Sequence, residues 1–183
     1  MKQFQQKLFK TSWKHQYSHG GELRKLRGGR GARPLSAKLP IHIVFKAERR
    51  TVPGGFRSSA RFKITNQILQ IYSRRFFIKL EKFTIQNDHI HLLVRTGRRS
   101  QLIHFMRVFA GQVAQIFRTL GLICGEVTKL WKARPFTRIV IGRNAFKIAM
   151  DYLEPNEMEV LGLIKYSKTR LREKYKSGMF PIK

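Results

Sequence analysis

The chain has 183 residues and carries 38 Lys and Arg against 10 Asp and Glu, a net charge of +28. At 42% hydrophobic and 11% aromatic it is not disordered throughout, and its length suits one ordinary domain with tails. So positive a chain excludes most metabolic-enzyme classes and points to a polyanionic partner, nucleic acid ahead of a membrane surface. Cys124 stands alone, which excludes an internal disulfide and a Cys-x-x-Cys metal site and favours a cytoplasmic address, nucleoid-associated with DNA as the partner. The N-terminus lacks the apolar core of a signal peptide, and no apolar run approaches the roughly 18 residues of a membrane span.

Residues 1–38 hold ten basic residues and one acid, Glu22, with no sustained period. Within them RKLRGGRGARP offers Arg24, Lys25, Arg27, Arg30 and Arg33 as DNA contacts. Its glycines let a basic backbone lie close to phosphates or enter a narrow groove. The segment loosely resembles an AT-hook whose Arg-Gly-Arg-Pro core is interrupted by Ala32. The alternative is a disordered basic arm that binds polyanions without choosing among them.

Residues 39–165 read as the folded domain. IHIVFK (41–46), bounded by Pro40, is a β-branched strand. From Arg57 to Phe76, apolar residues recur on a helical stripe. FIKLEKFTIQ (77–86) and HIHLLVRT (89–96) form a hairpin about the turn Gln86–Asp88. Leu102, Met106, Phe109, Val113, Ile116 and Leu120 then mark a helix, with Ser100 as its N-cap and Gly121 closing it. FTRIVI (136–141) is a further strand, ended by Gly142. A helix over Ala145–Leu153 is capped by Asn144 and stopped by Pro155. The order β-α-β-β-α-β predicts an α+β, ferredoxin-like antiparallel sheet with its helices on one face. Residues 166–183 are a basic C-terminal extension, and Lys165–Lys176 reads as a basic helix.

The chemistry concentrates in Asp88-His89-Ile90-His91. Side chains alternate along a strand, so His89 and His91 share a face at about 6–7 Å and are spaced to share a divalent metal. The plainer alternative is a hydrogen-bonded surface pair. Arg95, Arg98 and Arg99 follow this strand, where a phosphodiester would lie. Lys129, Lys132, Arg134 and Arg138 surround Trp131 and Phe136, an arrangement in which aromatics stack on bases and cations hold phosphates. Both aromatics can equally be core residues.

Four segments in order carry a family resemblance: HIVFKAERR (42–50), NDHIHLLV (87–94), LWKARPFTRIVI (130–141) and YLEPNEMEVLGL (152–163). Over roughly residues 39–165 the chain resembles the single-tyrosine HUH transposases of small insertion sequences, including the REP-associated tyrosine transposases. The resemblance implies DNA transposition and recombination. His89, His91 and a third polar ligand would hold Mg²⁺ or Mn²⁺, and a helix tyrosine would cut single-stranded DNA through a 5′-phosphotyrosine. It also implies recognition of DNA hairpins and a homodimer.

The resemblance places the tyrosine in the helix Leu102–Leu120, at Val113 or Ile116, and no tyrosine lies between Tyr72 and Tyr152. Tyr72 and Tyr152 are therefore the candidate nucleophiles, although both fit apolar stripes, and Gln112 or Gln115 is the candidate third ligand. The expected function is a transposase-like DNA-binding protein with impaired cleavage. A domesticated, non-catalytic DNA-binding module is the first alternative. An RNA-binding basic protein is the second, weakened by the lack of RNA-recognition-motif aromatics on the strands.

Overall fold

The computed structural model describes residues 17–21, 32–48, 50–124, 129–160 and 163. In chain order the elements are β1 (Ser18–His19), β2 (Ile41–Lys46), α1 (Ser59–Arg75), β3 (Ile78–Ile85), β4 (His89–Thr96), α2 (Arg99–Thr119), β5 (Phe136–Ile139) and α3 (Arg143–Val160). The strands form one antiparallel sheet in the order β1-β5-β2-β4-β3. Without the short edge strand β1, this is the ferredoxin-like order expected from the sequence.

Strand alternation builds the sheet's two faces. Ile41, Ile43 and Phe45 of β2 and Ile90, Leu92 and Val94 of β4 are all buried on one face. They meet the apolar stripe of α2, whose Leu102, Phe105, Met106, Phe109, Val113 and Phe117 recur every three or four residues. From α1, Ile68 and Leu69 complete this core. Each such side chain removed from water contributes about 1.5–3 kcal/mol, so this layer dominates stability. The N-terminus of α2 is not capped by Ser100: Arg98 occupies the cap position, and its N–H donates to Thr96 Oγ1 at 3.3 Å.

The two helices of the β-α-β-β-α-β unit share one face, as expected, and the third helix covers the other. Ala149 and Leu153 of α3 pack there on Leu93 and Val140. The chain turns into α3 at Gly142, whose φ of +83° suits a residue without Cβ. Nor does α3 stop at Pro155. It continues to Val160, because a proline removes one ladder bond without forbidding the turns on either side.

The N-terminal region contributes β1, for which no period exists in the sequence. Ser18 pairs with Arg138 and His19 with Thr137, and Tyr17 O accepts the N–H of Ile139 at 2.9 Å. Gly20 makes this docking feasible: its φ is +87°, and a Cβ there would sit 2.2 Å from Pro135 O. Gly20→Ala should therefore cost about 1–3 kcal/mol. Hydrogen exchange should show the Ile139 amide losing protection ahead of the central strands. Unchanged protection at Ile139 would refute this account of the edge.

Candidate active site

Antiparallel partners share a face, and the polar face follows directly from the register. On β2 and β4, His42 lies opposite Leu93, Val44 opposite His91 and Lys46 opposite His89. On β5, Arg138 lies opposite His42. On β3, Thr84 lies opposite His91. His42, His89, His91, Thr84 and Arg138 therefore project on the side that α3 covers, away from α2.

The three imidazoles touch. His42 Nε2 and His91 Nδ1 are 3.0 Å apart, and their rings stack with centroids 5.2 Å apart and planes 10° apart. His89 meets His91 edge-on at 4.6 Å between centroids. Asp88 Oδ1 lies 2.6 Å from His89 Nδ1 and fixes that ring's orientation. Burial alone would raise the Asp88 carboxyl, but the His89 hydrogen bond and the nearby positive groups hold it below its ordinary value.

Burial pushes the His42 imidazole down to about 4, reinforced by the charges of Arg138 and His89. Burial, then His42 and His89, holds His91 well below the ordinary imidazole value. Both rings are thus neutral near pH 7, and one donates to the other. When His91 Nδ1 donates, its Nε2 is left as a lone pair. That atom is buried and has no hydrogen-bond partner. A neutral imidazole nitrogen of this kind is a metal donor, and His89 lies beside it. Among the described residues no group of three His, Cys, Asp or Glu is arranged to hold a metal ion.

The helix against this face is α3, and it brings Tyr152. The Tyr152 ring lies edge-on to His91 at 5.4 Å and to His42 at 6.5 Å between centroids. Tyr72 is elsewhere, stacked on Phe76 at 6.3 Å against the apolar core. The expectation that α2 borders the histidines is corrected here. Val113 of α2 is fully buried in the apolar layer, while Gln112 and Gln115 lie 3.4 Å from each other on α2, away from the histidine face.

The candidate DNA contacts separate into several settings. Arg24, Lys25, Arg27 and Arg30 fall outside the described residues. Arg33 anchors structure: its guanidinium donates to Pro135 O at 2.9 Å, and burial with the Arg134 charge lowers its pKa. Arg95 is paired with Glu81 at 2.9 Å and lies over the Phe146 ring of α3. Arg138 is half-buried beside His42, and burial lowers its pKa. Arg99 donates to Arg33 O at 2.9 Å yet is exposed, as are Arg98, Lys129, Lys132 and Arg134. Trp131 is a correction to the stacking expectation. Its indole N–H donates to Ala110 O, and its ring packs on Phe45 and Phe56, so the core holds it. His42 was missed as a site residue, although a histidine among the apolar residues of β2 marks the strand's second face.

The family described as "Transposase IS200 like" matches residues 36–156. The chain belongs to the IS200-like transposase family. No curated protein matches this chain. Among solved structures it is similar to a REP-associated tyrosine transposase bound to a REP hairpin, with a TM-score of 0.53, 12% identity, and coverage of 75% of this chain and 77% of that one. It is also similar to a candidate transposase of Deinococcus radiodurans R1, with a TM-score of 0.42, 16% identity, and coverage of 72% and 98%. The first of these likenesses supports the fold.

The buried His42–His91 pair gives the domain a pH signature. The unfolded chain protonates His42 below about 6.5, whereas the folded chain resists protonation down to about 4. The unfolded state then binds more protons, so folded stability is full above pH 6.5 and falls as pH drops towards 4. Urea midpoints measured across this window should fall with pH, and His42→Gln should flatten the slope. An unchanged slope in the variant would contradict the neutral pair.

Proposed function

We propose that this IS200-like transposase binds DNA hairpins with adjoining single strand and cleaves the strand, with Tyr152 as nucleophile. The observation that carries the reading is the Tyr152 ring packed against His91 and His42, on the face that also holds His89 and Arg138. The bound REP hairpin of the REP-associated transposase supports the choice of DNA. Assembly as a homodimer belongs to the same reading.

The chain's own groups account for the step. The Tyr152 hydroxyl oxygen attacks phosphorus and gives up its proton. A P–O bond forms to the tyrosine, the bond to the 3′ oxygen breaks, and that oxygen leaves as a 3′-hydroxyl after taking a proton. The 5′-phosphotyrosine keeps the phosphodiester energy for rejoining. Neutral imidazoles suit the histidine face both as proton acceptors and as ligands. His89 and His91 would hold Mg²⁺ or Mn²⁺, which polarises the scissile phosphate when bound. Such ions keep several waters, so two protein ligands leave positions for phosphate. Arg138 supplies a fixed positive charge beside the site, and the exposed Arg98, Arg99 and Arg134 supply backbone contacts.

A labelled hairpin with a single-stranded flank, incubated with Mn²⁺, tests the proposal. We expect a covalent adduct on denaturing gels, mapped to Tyr152 by mass spectrometry. Tyr152→Phe should abolish the adduct and leave hairpin binding intact, whereas Tyr72→Phe should leave both. Hairpin binding by the wild type with no adduct would establish the non-catalytic alternative.

Binding should also be strongly salt-dependent. Deleting residues 1–16 removes four lysines and leaves β1 in place. If the arm lies on phosphates, the slope of log affinity against log salt should become shallower by roughly 0.7–0.9 for each phosphate that the arm neutralises. An unchanged slope would mean that the arm does not touch the DNA.

A further inference from the structure

Tyr152 sits on a helix that is weakened at the turn carrying it. Pro155 supplies no N–H, so the ladder bond from position 155 back to position 151 cannot form. Yet a nucleophile must be held within a fraction of an ångström of its in-line position. The helix therefore needs support from the sheet beneath it. Thr84 is placed to give it. Thr84 is 3% exposed, and its hydroxyl donates to the backbone carbonyl of Leu153 at 3.3 Å. Leu153 follows Tyr152 directly, and Thr84 lies opposite His91 across the β3–β4 pairing. One side chain thus joins the backbone beside the tyrosine to the strand register that holds the histidine.

Two further contacts of α3 are of another kind. Phe146 under Arg95 holds the helix near its start, and Ala149 and Leu153 pack on Leu93 and Val140. Apolar packing is non-directional and tolerates small rotation or sliding, whereas a hydrogen bond to one carbonyl fixes both. A methyl group in place of the hydroxyl would keep the volume and lose only the direction.

We infer that Thr84 is a positioning residue, fixing the rotation and height of α3 so that the Tyr152 ring stays against His91. The inference rests on the assignment of Tyr152 as nucleophile for its catalytic consequence, but not for its structural one. Thr84 acts through the backbone of α3, to which its hydroxyl is bonded.

The test uses the full chain with Thr84→Val, Thr84→Ser and Thr84→Ala. In labelled wild-type protein, nuclear Overhauser contacts should join the Tyr152 and His91 rings. Thr84→Val should abolish or weaken them, and Thr84→Ser should keep them. With hairpin DNA and Mn²⁺, single-turnover adduct formation should fall by about tenfold or more in Thr84→Val, and DNA affinity should be unchanged. Thr84→Ser should restore the rate. If Thr84→Val does not fold, the comparison of Ser with Ala decides: both lack the methyl and only Ser keeps the hydroxyl. Ring contacts and rate that are the same with and without the hydroxyl would overturn the inference. A wild type that forms no adduct would sink the nucleophile assignment alone, because the ring contacts would still decide the role of Thr84.

Discussion

The antiparallel pairing of β2 with β4 is the constraint on which the rest of the molecule depends. Its register places Ile43 opposite Leu92 and Val44 opposite His91, so apolar and polar side chains segregate to opposite faces. A slip of one residue would turn His42 towards α2 and bring Ile41 and Ile43 to the histidines. The apolar core and the candidate site are thus two sides of one hydrogen-bonded ladder. Burial of Phe45, Ile90 and Leu92 holds one side of this ladder, and the neutral histidine pair on the other side weakens folding once acid favours its protonation.

Much of this was legible in the sequence. Most strand and helix runs fall where the period puts them, as α1 does at Ser59–Arg75 against an expected stripe of 57–76, but punctuation misleads at α3, which runs past Pro155 to Val160. The fold class follows from element order alone. The site was legible only in part. His89 and His91 announce themselves by alternation, but the helix facing them was misassigned. Sequence adjacency suggested α2, which follows the histidine strand. Parity argues otherwise: the stripe Leu102–Phe109–Val113 must meet Ile90, Leu92 and Val94, so α2 cannot also meet His89 and His91. This leaves α3 as the helix for the second face and Tyr152 as the tyrosine it carries.

Other features could not have been read locally. Trp131 sits among lysines and an arginine in sequence, yet its ring is claimed by Phe45 and Phe56, more than 70 residues upstream. Arg33 belongs by composition to a Gly/Arg arm, but the Pro135 carbonyl gives it a fixed place. In both cases a distant backbone or ring decides between a surface role and a structural one, and composition carries no record of that partner. The charges of Arg33 and Arg95 are thus already engaged in holding the fold.

The edge strand has a consequence for how the molecule is made. Its pairing joins residues far apart in the chain: Thr137 Oγ1 donates to His19 O across 118 positions. During synthesis at about 5–20 residues per second, β1 leaves the ribosome roughly 6–24 s before β5 exists to receive it. Loop closure over that span also carries the entropy that makes non-local strand pairing slow. β1 therefore cannot pair before β5 has been made, and its docking reports that the final strand has been laid down.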